Sequence, residues 1–228
     1  MSEQVRLTLV GATGLVGSEL MAAAVGRESV RINAVARREI AFPSGARMEA
    51  VLADPEEWPG AIAATAPQVF VCALGTTWNK SGKSEAAFRA VDQELVLSSA
   101  RAALEAGATR AVVVSSVGAD RHAKSFYLRV KGEVEQELGQ IGFARLDTLR
   151  PGLLTGPRQG DRRVMERLGI LASPLTNLLL HGSWRKYRSI PAACVAEAML
   201  QLSQTKTRGK FVHDNESIRR EAGRFRRN

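Results

Sequence analysis

The sequence predicts an α/β fold: a doubly wound, mainly parallel sheet covered by helices on both faces, with a small C-terminal cap. Three observations predict it. Strand-like and helix-like patterns alternate from the N-terminus, as repeated βαβ units require. The run VFVCAL at 69–74 is wholly apolar, as expected of a parallel strand buried on both faces. Gly11, Gly14 and Gly17 are spaced three apart, directly after the first strand and at the opening of a helix.

The elements follow in order. Val5 to Val10 is a short run ending in glycine and reads as the first strand, followed by a helix from Leu15 to about Gly26. Val30 to Ala36 is the second strand, and Arg47 to Leu52 an edge strand stopped by Asp54-Pro55. Val69 to Leu74 is the fourth strand. Ser84 offers an N-cap for a long helix reaching Glu105, with Gly107 as its stop signal. Ala111 to Val114 is another buried strand, 127–138 a helix and Phe143 to Leu149 a strand. After Pro151 the pattern weakens: helices are expected at Asp161 to Leu168 and Ala192 to Leu202, and a last strand at Lys210 to His213. The whole reads as one domain over residues 1–228, with a cap at about 155–190 and a basic, solvated tail at 218–228.

The chain has 228 residues, 45% of them hydrophobic, and a domain of this size buries about 70% of its unfolded surface. Its 32 Lys plus Arg exceed its 23 Asp plus Glu, for a net charge of +9. Residues 1–157 hold 17 basic and 17 acidic side chains, so the surplus lies wholly in 158–228, with 15 basic and 6 acidic. That excludes a uniformly basic, histone-like protein. Cys72 and Cys194 both sit in apolar sequence and are expected as buried thiols. No basic n-region precedes the first apolar stretch, and the longest later one, 168–182, is broken by Ser173, Pro174, Thr176 and Asn177. Neither a signal peptide nor a membrane span is expected, and the location expected is cytoplasmic. Oligomeric state is left open.

The glycines point to a nucleotide. Gly11 ends the strand in a turn, Gly14 lets a pyrophosphate approach the backbone, and Gly17 lets helix pack on strand. The free N–H groups and dipole of the new helix then face the phosphates. At the end of the second strand, where a carboxylate would accept a hydrogen bond from a free ribose 2′-OH, the chain has Arg37 and Arg38. Two guanidinium groups suit a 2′-phosphate, so NADPH is expected over NADH. Asp54 is read as serving the adenine end or a turn.

Candidate chemistry lies after the later strands. Ser116 sits just past a buried strand, at the carboxyl edge where parallel sheets bind their ligands. Tyr127 follows eleven residues later, and Lys131 is at i+4 on the same predicted helical face. The ammonium would stabilise a phenolate, making Tyr127 a general acid for carbonyl reduction while Ser116 holds the carbonyl oxygen. An ordinary surface pair on a helix is the alternative reading of that spacing. Trp78, Asn79 and Lys80 follow the fourth strand at the same edge, and Asp120, Arg121 and Lys124 form a polar loop over it. His122, His181 and His213 lack metal-ligand spacing, and no CxxC or HExxH occurs, so no metal is expected. Met165, Leu171, Leu175 and Trp184 are candidates for an apolar substrate wall.

The segments GATGLVG at 11–17, CALGTT at 72–77, SSVGAD at 115–120, YLRVKGEVE at 127–135 and LRPGLL at 149–154 resemble the short-chain dehydrogenase/reductase superfamily. More narrowly, they resemble its atypical branch around a human Tat-interacting, metastasis-suppressor oxidoreductase. The resemblance covers about residues 4–203. It implies a Rossmann-type fold, a catalytic set of Ser116, Tyr127 and Lys131, and cofactor contacts from Gly11, Thr13, Gly14, Leu15, Val16 and Gly17. It further implies Arg37 with Arg38 at the ribose phosphate, a cofactor loop at Leu74, Gly75 and Thr76, Lys131 at the nicotinamide ribose, and a nicotinamide border at Pro151, Leu153 and Leu154. The family's asparagine helper on the long helix has no clear match, and Asp92 lies near that region. The serine-to-tyrosine interval is short beside ordinary members.

The expected function is NADPH-dependent reduction of a small carbonyl compound or quinone. Two alternatives stand beside it: an NADPH-loaded regulatory protein with a protein partner and little catalysis, and a nucleotide-sugar epimerase or dehydratase, against which the short cap argues. Specific nucleic-acid binding is not expected. Arg162, Arg163, Arg167, Arg185, Lys186 and Arg188, with five arginines between Arg219 and Arg227, supply only non-specific phosphate attraction.

Overall fold

A computed structural model describes residues 4–79, 81–156 and 187–227. The first half follows the expected alternation: β1 (Val5–Val10), α1 (Leu15–Ala23), β2 (Val30–Ala36), β3 (Glu49–Leu52), α2 (Trp58–Ala64) and β4 (Val69–Cys72). Then come α3 (Glu85–Arg89), α4 (Leu95–Glu105), β5 (Arg110–Val114), α5 (Phe126–Ile141) and β6 (Arg145–Leu149). Two short strands, β7 (Leu154–Thr155) and β8 (Ile190–Pro191), pair with each other, and α6 (Ala192–Ser203), β9 (Gly209–His213) and α7 (Asn215–Arg227) complete the chain.

The main sheet has the order β3-β2-β1-β4-β5-β6-β9, and every neighbouring pair is parallel. The chain winds outward from β1 to β3, then returns to lay β4 on the other side of β1. The strand order therefore reverses between β1 and β4, and their carboxyl ends part to leave a crevice. The pleat sorts the core into two layers. Leu7, Leu9, Val71 and Val112 pack with α1, α6 and α7 on one face, while Val10, Phe70, Cys72 and Val113 pack with α2, α4 and α5 on the other. Burial on both faces is why these strands are nearly all apolar.

Three departures from the expected elements have physical reasons. α2 is not among the expected elements, and it opens on Pro59 and Gly60, residues that disfavour a helix interior. Pro59 lies in the first turn of α2, where its missing N–H costs nothing, and buried Trp58 anchors the start by donating its ring N–H to the Ala53 carbonyl at 3.1 Å. The single helix expected from Ser84 to Glu105 is interrupted at Ala90–Glu94 by a π-helical turn. Ser84 does cap its start, accepting from the Ala87 amide at 3.2 Å.

The third departure corrects the basic tail at 218–228. Asn215–Arg227 is a helix, not a solvated segment, because Ile218, Ala222 and Phe225 recur at helical spacing and are all buried. The guanidinium of Arg27 lies 4.6 Å from the Phe225 ring centre, and Arg226 pairs with Glu197 of α6 at 2.7 Å. Cys72 and Cys194 are free and buried. Among the described residues no helix is long and apolar enough to cross a membrane. The helix expected at Asp161 to Leu168, most of the cap expected at about 155–190, and the basic cluster from Arg162 to Lys186 lie outside the described residues.

Candidate functional site

The turn after β1 is built from close backbone approach. Val10 is in register with Cys72, which sets Gly11 against Ala73. A side chain at Gly11 would put Cβ 2.4 Å from the Ala73 carbonyl carbon, in a backbone conformation (φ +87°) that few other residues adopt. A Cβ at Gly17 would fall 2.2 Å from the Gly11 carbonyl oxygen, so α1 packs onto the turn only because that position is bare. Gly14 stands at the N-cap of α1 and offers no side-chain cap. Among the described residues no N-cap side chain satisfies the first N–H groups of α1, which face the crevice.

The crevice is a cleft of about 540 Å³. One wall is Gly14, Leu15 and Val16; the floor is Leu74, Gly75 and Thr76; the opposite wall carries Ser116, Tyr127 and Lys131; and Pro151, Leu153 and Leu154 close a further side. A smaller hollow sharing Leu74 is lined by Gly11, Thr13, Arg37, Arg38 and Trp58. Arg37 and Arg38 are both exposed there. Asp54 caps the turn at Pro55–Glu57 in a reciprocal arrangement with Glu57, which fits the turn role and not the adenine one. Residues far apart in sequence thus meet at one sheet edge.

Ser115 and Ser116 are distinguished by their partners. The Ser115 hydroxyl donates to Glu135, whose carboxylate also holds Arg150. Among the described residues the Ser116 hydroxyl makes only a long contact, 3.3 Å, to the Val117 carbonyl, and it lines the cleft. Tyr127 lies in the first turn of α5 with 37% of its surface exposed, edge-on to Phe88 at 5.8 Å between ring centres. Phe126 packs between the fully buried Phe88 and the half-exposed Trp78, at 5.6 and 5.4 Å.

Lys131 is buried one turn further along α5, and its Nζ lies 2.7 Å from Oδ1 of Asp92, which is fully buried. Burial by itself would lower the ammonium's pKa. The carboxylate of Asp92 and, less strongly, Tyr127 and Cys72 outweigh it and hold Lys131 above the ordinary lysine value. Burial pushes the Cys72 thiol up to about 12, so it stays neutral beneath the site. The Asp120–Arg121 backbone lies on Gly132, where a Cβ would come 2.2 Å from the Arg121 nitrogen, and this contact presses the post-β5 loop onto α5.

Sequence reasoning left Asp92 without a role. The signal was present: Phe88, Asp92 and Val96 form one stripe at i, i+4, i+8, and a carboxylate inside an apolar stripe needs a buried partner. Tyr187, which also lines the cleft, carried no sequence signal. Lys80, Met165, Leu171, Leu175 and Trp184 lie outside the described residues.

A family model described as NAD(P)H-binding matches residues 11–205. The chain belongs to that NAD(P)H-binding family. Among curated relatives, Protein fmp52, mitochondrial, from Aspergillus niger is 36% identical over 163 residues, spanning 68% of this chain and 69% of its own. Protein FMP52, mitochondrial, from Candida albicans is 31% identical over 210 residues, with 89% and 90% covered. The expected cytoplasmic location is corrected by these relatives, which are named as mitochondrial and point to that compartment instead. Among solved structures, the oxidoreductase ylbE from Lactococcus lactis superposes with a TM-score of 0.66 at 19% identity, over 98% of both chains. MoeE5 in complex with UDP-glucose and NAD superposes with a TM-score of 0.69 at 16% identity, over 93% of this chain and 79% of its own. These two likenesses concern the fold, which is Rossmann-like in this NAD(P)H-binding protein as in its neighbours.

Proposed function

We propose that the protein is an NADPH-dependent oxidoreductase of the short-chain dehydrogenase/reductase type, in the atypical branch that its motifs resemble, and that it reduces a small carbonyl compound or quinone. The observation that carries this reading is the Tyr127–Lys131 pair, opening on the same cleft as Ser116 and the uncapped start of α1. The residues present fit a dinucleotide: bare glycine backbone and free helix N–H groups for the pyrophosphate, and Arg37 with Arg38 for a 2′-phosphate.

Bound NADPH would supply hydride from the nicotinamide. The chain's own residues do the rest. Ser116 donates a hydrogen bond to the substrate oxygen, Tyr127 gives that oxygen its proton as the carbonyl carbon is reduced, and the Lys131 charge stabilises the phenolate left behind. Leu15, Leu74, Leu153 and Leu154, with the Tyr127 and Tyr187 rings, line the cleft and suit a flat, apolar substrate such as a quinone. NADPH oxidation followed with a panel of quinones and carbonyl compounds tests the proposal. Tyr127→Phe should lower turnover by about 10²- to 10⁴-fold while leaving NADPH affinity nearly unchanged. Undiminished turnover in that variant, or NADPH binding with no turnover on any substrate, would overturn it.

A further inference from the structure

The π-helical turn between α3 and α4 sits at Asp92, the one fully buried carboxylate lining the cleft among the described residues. At its end the Leu95 amide bonds to the Ala90 carbonyl, five residues back, which adds one residue to the turn and shifts the phase of the helix. Asp92 lies inside that turn. Its Oδ2 accepts from the Thr76 amide at 2.7 Å, and its Oδ1 is 2.7 Å from Lys131 Nζ. Among the described residues, Oδ1 has no hydrogen-bond donor besides that ammonium. One side chain thus joins three elements: the loop after β4, the π-turn, and α5.

We propose that Asp92 is a positioning residue, fixing the Lys131 ammonium one turn from Tyr127 with one oxygen and the Leu74–Thr76 loop with the other. The inference rests on the functional reading above for the role of Tyr127, but its geometry does not. The groups that face Lys131 are Asp92 from the π-turn, Cys72 from β4 and Tyr127 from its own helix. Burial pushes the Cys72 thiol up to about 12, and the carboxylate in contact with the ammonium is that of Asp92. A lysine this deeply buried is kept protonated by its partner, and without the carboxylate desolvation would strip the proton. Lys131 would then have no charge to offer a phenolate. A carboxylate here that merely cancelled the lysine's field would have the opposite effect, so the sign of one measurement decides.

That measurement needs neither cofactor nor substrate. The chain has two tyrosines, so in a Tyr187→Phe background the alkaline absorbance change of tyrosinate reports Tyr127 alone. Asp92→Asn keeps an acceptor for the Thr76 amide and removes the charge. It should raise the Tyr127 titration midpoint by about one pH unit, and Asp92→Asn/Lys131→Met should raise it no further. An unchanged or lowered midpoint in Asp92→Asn would overturn the proposal. NADPH binding supplies the second arm. Asp92→Asn should hold the dissociation constant within about threefold, and Asp92→Ala, which frees the Thr76 amide, should weaken it by about tenfold. Wild-type affinity in Asp92→Ala would remove the loop-fixing role. A protein inactive on every substrate that still shows both shifts would refute the reductase reading alone.

Discussion

Two aspartates in this molecule are equally buried and differently used. Asp147, on β6, is held by Arg145 through both oxygens, at 2.5 and 2.8 Å, and by His213 of β9 at 2.8 Å. The Arg145 guanidinium also donates to the Thr207 carbonyl and stacks over Phe211 at 4.4 Å, so the group is saturated and clamps β9 to the sheet. Asp92, buried beneath the crevice, has one amide and one ammonium. Its lysine lines the cleft. The contrast teaches that a buried charge marks a functional site when its partner reaches a cavity, and a structural one when every donor is spent within the fold.

Breaking the clamp should give the largest effect on stability. Asp147→Ala leaves the buried Arg145 uncompensated and should cost about 3–5 kcal/mol in denaturant unfolding. NADPH affinity of the folded fraction should hold, and an equal loss of affinity would erase the distinction between the two aspartates. Gly132→Ala comes next. Its Cβ would press on the Asp120–Arg121 backbone, so a cost of about 1–3 kcal/mol is expected together with slower turnover, because the loop carrying Ser116 must shift. Normal turnover in a destabilised Gly132→Ala would show that the loop's seating does not matter to the chemistry.

Smaller effects sharpen the same contrast at the surface. Arg37→Ala and Arg38→Ala should each lower the preference for NADPH over NADH by about tenfold in competitive binding, with stability unmoved. No change in that ratio would remove the 2′-phosphate assignment. Asp214 accepts from the Ser217 amide at 2.8 Å at the start of α7, and that hydrogen bond holds its carboxyl below the ordinary value. A depressed carboxyl contributes stability above its unfolded value and loses it as pH falls through the folded one. Asp214→Ala should therefore cost about 1 kcal/mol at neutral pH, with the difference from wild type closing in acid. Lys131 has the opposite sign. Its raised pKa stabilises the fold fully below the ordinary lysine range and the contribution is lost as pH rises through the folded value.

Local signals carried most of the first half of the fold. Alternation of apolar strands with helices, and glycines that stand where backbone meets backbone, are short-range patterns, and β1, α1, β2 and β4 lie close to where they placed them. The same holds for Ser116, Tyr127 and Lys131, because i,i+4 spacing on a helix and a strand end are both local facts. Legibility failed where a local rule was overridden. α2, which opens on Pro59 and Gly60, was not among the expected elements, and the arginines of 219–227 masked the three buried residues that dock α7.

By itself the sequence determined the fold class, the glycine turn after β1 and the helical pairing of Tyr127 with Lys131, since each depends on residues within a few positions of one another. Only the tertiary structure decided what Asp92 does. Its partners Thr76 and Lys131 lie 16 residues before it and 39 after it, on different elements. Packing of α5 against the π-turn, and of both against the end of β4, brings the three together, and no local pattern encodes that meeting. Burial then supplies the physical consequence: away from water, a carboxylate and an ammonium each depend on the other to stay charged.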